Sequence, residues 1–215
     1  MSKPLIWVWL AVVVILLFFA NTVFLDNRKI TERQPVDLVA DIQPANQTGS
    51  LTISPQDPSL GLVEAPITII ELADFGCSHC AQSAFIVEKF VRDNLTQVRL
   101  IWKDFILPVH PQSAEAAEAA QCAARQGKFW EYQQYLFANQ DRLGSEFYST
   151  LAQNLSLDAS KFNSCLVNNE TLPLIQFNQQ EINSLGLKET PSYIINGQLY
   201  NGEVTEAALT SFLNQ

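Results

Sequence analysis

The chain has 215 residues and a mass of 24.1 kDa, which suits one domain with an appendage. Apolar residues make up 47%, so a packed core is within reach and wholesale disorder is excluded. Thirteen basic against 22 acidic side chains leave a net charge of −9, which argues against nucleic-acid binding, and two histidines exclude a His-rich metalloenzyme.

The first element is Pro4–Leu25, with no charge before Asp26 and the uninterrupted run LIWVWLAVVVILLFFA. As a helix it would span about 33 Å, enough for a bilayer. The run exceeds a signal-peptide core and lacks an A-x-A cleavage pattern, so an uncleaved anchor over residues 1–25 is expected. Residues 26–60, with Pro35, Pro44, Pro55 and Pro58 and no aromatic side chain, read as an extended linker. Within it, Leu51–Ile53 could add an edge strand. Arg28, Lys29 and Arg33 favour a cytoplasmic C-terminal side by simple counting, but long domains translocate regardless of such charges.

Pro66–Ala73 is a β-branched run and predicts a buried strand. Asp74-Phe75-Gly76 turns the chain. Cys77-Ser78-His79-Cys80 then opens an amphipathic helix carrying Ala81, Ala84, Phe85, Val87 and Val91. A C-x-x-C at a strand-to-helix junction points to redox chemistry. The unpaired N–H groups and positive dipole of a helix start favour a thiolate. Cys77, exposed at the helix tip, is the expected nucleophile. Cys80, one turn in, is the resolving thiol, and His79 a cationic neighbour. A zinc site lacks a second ligand pair, although Cys77, His79 and Cys80 could combine with His110 around a metal. A structural disulfide would be unusually tight.

Further along, Val98–Phe105 predicts a second central strand. Helices are expected over Gln112–Gln126, Phe129–Asn139, Glu146–Leu155, Asp158–Val167 and Leu172–Leu185. Phe129, Trp130, Tyr132 and Tyr135 could form a peptide-binding face, although such aromatics more often build a core. Ser192–Ile195 and Gln198–Tyr200 flank Asn196-Gly197, a hairpin signal, and Val204–Leu213 closes as a helix. Four cysteines allow three pairings. With Cys77 and Cys80 as a redox pair, Cys122 and Cys165 remain, on two predicted helices, as a bridge or as two buried thiols. Four N-x-[ST] matches, Asn94 and Asn154 among them, would matter only in a eukaryotic secretory pathway.

Five stretches in this order resemble the DsbA-like thiol:disulfide oxidoreductases of the thioredoxin superfamily, in their membrane-anchored bacterial form. They are APITIIELADFGCSHC (65–80), LPVHP (107–111), AAEAAQCAARQGKFWEYQQYLF (116–137), KFNSCL (161–166) and ETPSYIINGQLYNGE (189–203). The resemblance implies an α/β thioredoxin fold over 61–215 with a helical insertion at about 111–170. It implies Glu71 as a buried acid that takes the proton of Cys80, and Thr190-Pro191 as a cis-proline loop beside the cysteines. It also implies a Cys122–Cys165 bridge, which persists only in an oxidising compartment. One departure is Ser78 where many members carry Pro.

The expected function is that of an extracytoplasmic enzyme on the bacterial cell membrane that introduces disulfides into exported proteins. A quinone-linked membrane partner would reoxidise it, and no cofactor or resident metal is expected. A reductase or isomerase of the same fold, or a tethered peptide-binding module, are the alternatives.

Overall fold

The computed structural model describes residues 51–214 together with the backbone of one earlier strand, β1 (Pro44–Thr48). The anchor expected at Pro4–Leu25 lies outside the described residues. Among these, no helix is long and apolar enough to cross a membrane.

Six strands form one sheet in the order β1-β6-β5-β3-β4-β2. The centre is β3 (Ile67–Ala73), parallel to β4 (Val98–Asp104) and antiparallel to β5 (Ser192–Ile195). Nearly every β3 residue is buried, as its continuous apolar run dictates. Alternation along the strand divides the core. Ile67, Ile69 and Ala73 face one side, and Ile70 and Leu72 face the other. The β3–β4 crossover is α1 (Ser78–Asp93), which packs on the first face. The β5–β6 turn is Asn196-Gly197, with φ of 48° and 83°, the left-handed pair that a type I′ hairpin into β6 (Gln198–Asn201) requires.

Between β4 and β5 the chain inserts α2 (Ser113–Ala124), α3 (Phe129–Ala138), α4 (Ser145–Asn154) and α5 (Ala159–Val167). Helix α6 (Leu172–Ser184) then returns to the sheet, with Ile182 in the second core, and α7 (Glu206–Leu213) closes the domain. The disulfide Cys122–Cys165 joins α2 to α5, with a Cα–Cα distance of 5.9 Å. Phe129, Trp130 and Tyr132 are core, and only Tyr135 is exposed, so these aromatics do not make a peptide-binding face. They fill the space between the insertion and Trp102 of β4, with Phe129 and Trp102 ring centroids 5.5 Å apart.

Two expectations for the linker need correction. Leu51–Ile53 forms no strand, whereas β1 pairs with β6, and β2 (Ser59–Leu60) pairs with β4. The second half of the expected tether therefore belongs to the domain. The reason is Lys103, a β4 side chain with 0% exposure. Its ammonium group donates to the Thr52 carbonyl at 2.6 Å and to Asn178 Oδ1 at 2.9 Å, and it pairs with Asp57 at 2.7 Å. A buried ammonium group needs such partners, and they pin residues 52–57 against the sheet.

Candidate active site

Strand β3 ends at Ala73, and the turn Asp74-Phe75-Gly76 delivers Cys77 to the N-cap of α1. Three anchors fix this turn. Phe75 enters the core against Trp102 and Phe137, at centroid distances of 5.0 and 5.2 Å. The buried Asp74 carboxylate accepts from Gly76 N (2.7 Å), Leu107 N (2.8 Å) and His110 Nδ1 (2.9 Å), and also from Ser113 Oγ. Gln140, in a 3-10 turn after α3, donates to the carbonyls of Phe75 (2.8 Å) and Cys77 (2.9 Å). The insertion thus holds the redox loop from two sides. His110 serves the turn through Asp74.

Cys77 and Cys80 are both free thiols. Cys77 is only 5% exposed, so the expectation of an exposed helix tip is corrected. The loop containing the cis Thr190-Pro191 bond lies against it, and its Sγ donates to the Thr190 carbonyl at 3.4 Å. Cys80 has 0% exposure.

The two thiols are driven apart. Cys77 is lowered to about 5, first by the hydrogen bond from the Cys80 thiol. Thr190 and the N–H groups of Cys80 and His79 add to this, against the opposing effect of burial. No side chain caps α1, so these N–H groups are free to act on sulfur. Burial, followed by the bond to Cys77, pushes Cys80 far above the ordinary thiol range.

Glu71 has no exposure and sits on the α1 side of β3, the face that also holds Cys80. Burial, then the charge of Glu88, pushes its carboxyl up to about 8. Tyr193 of β5 donates a long 3.5 Å bond to Glu71 Oε1, and burial, Glu71 and Cys80 all raise this phenol. Glu71, Tyr193 and Cys80 therefore share one buried region beneath α1.

His79 departs from the simple expectation. Its side chain is 65% exposed, and Nδ1 contacts the Glu203 carboxylate in the loop after β6. Glu203 is the main cause that raises the ring, and Cys77 is a lesser one. Sequence reasoning missed Glu203, Gln140, Ser113 and Tyr193 as parts of the site. Glu203 and Tyr193 carried a signal, as members of the quoted 189–203 stretch.

The fold is shared with known proteins. A thioredoxin-like oxidoreductase from Silicibacter pomeroyi superposes with a TM-score of 0.67 at 25% identity, over 75% of this chain and 92% of that one. The fold is also that of Wolbachia pipientis alpha-DsbA1 (TM-score 0.66, 22% identity, 76% and 92% covered). BdbD from Bacillus subtilis is similar as well (0.64, 18%, 74% and 91%). Among curated sequences, a Na(+)/H(+) antiporter NhaA 3 of Salinispora tropica is 32% identical over 157 residues. That match takes in 73% of this chain and 24% of the antiporter, so the chain spans about a quarter of the length of such relatives. The Thioredoxin family model matches residues 53–215, from before β2 to the C-terminus, and the chain belongs to the thioredoxin family.

Proposed function

We propose that this protein is a protein dithiol-disulfide oxidoreductase working as an oxidase, with Cys77 as the exchanging sulfur and Cys80 as its resolving partner. The observation that carries the reading is the split between the two thiols: Cys77 is held as a thiolate at neutral pH, and Cys80 is held protonated. A stable reduced form of this kind makes the disulfide form a strong oxidant.

In the proposed cycle a substrate thiolate attacks Cys77 Sγ of the oxidised pair. A mixed disulfide forms, and the electrons of the Cys77–Cys80 bond leave on Cys80. Glu71, largely protonated near neutral pH, returns a proton to this leaving sulfur and accepts it in the reverse step. A second substrate thiolate attacks the substrate sulfur of the mixed disulfide. The substrate gains its disulfide, and Cys77 leaves as a thiolate. While the pair is oxidised, the Thr190 carbonyl has no thiol donor and is open to the backbone of an extended substrate.

The cellular setting follows from two features. The Cys122–Cys165 bridge suits an oxidising compartment. The apolar run Pro4–Leu25 suits a membrane anchor. Exported proteins with free thiols are then the substrates, and a quinone-linked membrane protein is the reoxidant.

The test is the equilibrium of the full-length protein with glutathione buffers. A potential at or above about −180 mV supports the oxidase, and one at or below about −230 mV makes it a reductase. Retention of full disulfide transfer by Cys77→Ser would remove Cys77 from the chemistry.

A further inference from the structure

The contact between His79 and Glu203 joins the second residue after the exchanging sulfur to a loop 124 residues later in the chain. This loop is not free to wander. Gly202 N–H donates to the Pro191 carbonyl at 2.9 Å, so the residue before Glu203 is fastened to the proline loop beside Cys77. Val204, the residue after it, is 2% exposed and seated in the first core. Thr205 caps α7, accepting from Ala208 N at 3.2 Å. Three successive ties therefore aim the Glu203 carboxylate at the lip of the redox site.

An exposed ion pair of this kind adds little to stability, so its placement matters more than its strength. The groups that act on the His79 ring are Glu203 and, on its own helix, Cys77. Lys89, farther along α1, is occupied by Asp93 and by Glu206 of α7.

We infer that Glu203 is a positioning residue for the redox centre, fixing the His79 ring at the lip beside Cys77 and keeping it an imidazolium there. A solvated histidine loses its charge near pH 6.5. With the carboxylate on Nδ1, the ring stays cationic above that pH, and the reduced thiolate keeps a positive neighbour where disulfide exchange is fastest. The carboxylate also subtracts from the field at Cys77, so its two effects oppose each other wherever the ring is charged. The inference rests on Cys77 as the exchanging sulfur, as proposed above.

The test uses full-length wild type and Glu203→Gln, with two readouts. The first is NMR titration of isotope-labelled histidine rings, of which the chain has only two, His79 and His110. The His79 midpoint is expected to fall towards about 6.5 in Glu203→Gln, and Glu203→Asp is expected to restore much of the shift. The second readout is the glutathione equilibrium at pH 6 and pH 8. At pH 6 the ring is charged in both proteins, and loss of the carboxylate makes Glu203→Gln the stronger oxidant. At pH 8 its ring is neutral, and it becomes the weaker oxidant. The mutant-to-wild-type ratio of equilibrium constants should change by about threefold or more between the two pH values, equivalent to half a pK unit. An unchanged His79 midpoint, or the same ratio at both pH values, overturns the inference and leaves the oxidase reading intact. Failure of wild-type Cys77 to exchange with glutathione would overturn both.

Discussion

The thiol of Cys77 lies 3.4 Å from the main-chain carbonyl of Thr190, a residue 113 positions later in the chain. A carbonyl accepts from the protonated thiol but repels a thiolate. The thiolate is held chiefly from the helix side, where the Cys80 thiol and the first N–H groups of α1 converge on sulfur, with a further contribution from Thr190. The groups around Cys77 thus favour both states of one atom, which suits a sulfur that alternates between disulfide and thiolate.

Replacement of Cys80 by Ala tests this division. The Cys80 thiol is the first cause of the low Cys77 value of about 5, so its removal should raise that value by roughly one unit or more. The pH dependence of Cys77 alkylation measures it, with the midpoint moving up. A midpoint that stays at about 5 would assign the thiolate to Thr190 and the helix N-terminus instead.

Glu71→Gln has a thermodynamic and a kinetic signature. The folded carboxyl, at about 8, lies above its ordinary value of 4.5. Between those two pH values the folded chain binds a proton that the unfolded chain does not, so Glu71 erodes stability as pH rises through this window. Glutamine cannot ionise. The stability of Glu71→Gln relative to wild type should therefore improve by roughly 3 kcal/mol from pH 5 to pH 8, read from urea midpoints of the oxidised proteins. The same change removes the acceptor for the Cys80 proton. Decay of a preformed Cys77–glutathione mixed disulfide should slow by about a hundredfold, and an unchanged rate would exclude Glu71 from the step.

The parts of this molecule that follow from local chemistry were legible in the sequence. The run Pro66–Ala73 has the β-branched composition of a buried strand, the stripe after Cys80 has the period of a helix, and the structure places β3 and α1 there. Asn196-Gly197 specified its own turn. What escaped depends on partners far away in sequence. Residues 52–57 look like a polar, proline-rich tether until Lys103 meets them across the sheet. Only the oddity of a lysine within the apolar strand LIWKDF hinted that something had to come and satisfy it. Gln140 and Glu203 carry no periodicity or spacing, because each acts through long-range contacts with the redox loop or its helix. Conversely, exposure of Cys77 was expected from its helix position alone, and the Thr190-Pro191 loop covers it.

The Lys103–Asp57 pair predicts a stability defect unlike that of a surface ion pair. Asp57→Ala leaves a buried ammonium group with only the more distant Glu181 carboxylate, at 4.0 Å, as counter-charge and should cost up to about 3–5 kcal/mol in urea unfolding. The double variant Asp57→Ala, Lys103→Met removes the charge as well and should recover much of that loss, because a buried pair exchanged for apolar side chains is often near neutral. A double variant as unstable as Asp57→Ala would mean that the remaining Lys103 bonds, to Thr52 and Asn178, matter more than the ion pair.

Gly76→Ala probes how tightly the insertion grips the redox turn. A Cβ at this position would lie 2.6 Å from Ser113 Oγ and 2.7 Å from His110 Cβ, both inside contact distance. The serine hydroxyl can rotate away, but only by giving up its bond to Asp74. The His110 Cβ can move only with its backbone, whose N–H is held by the Leu107 carbonyl at 3.0 Å. The substitution should therefore cost about 1–3 kcal/mol, as overpacking does, and should displace the turn that delivers Cys77. Adding Ser113→Ala removes the first clash and leaves the second, so the double variant should regain part of the stability and not all of it. Urea midpoints of the three proteins give the answer. Full recovery would show that Ser113 alone sets the fit at Gly76, and no recovery would place the constraint entirely on the His110 backbone.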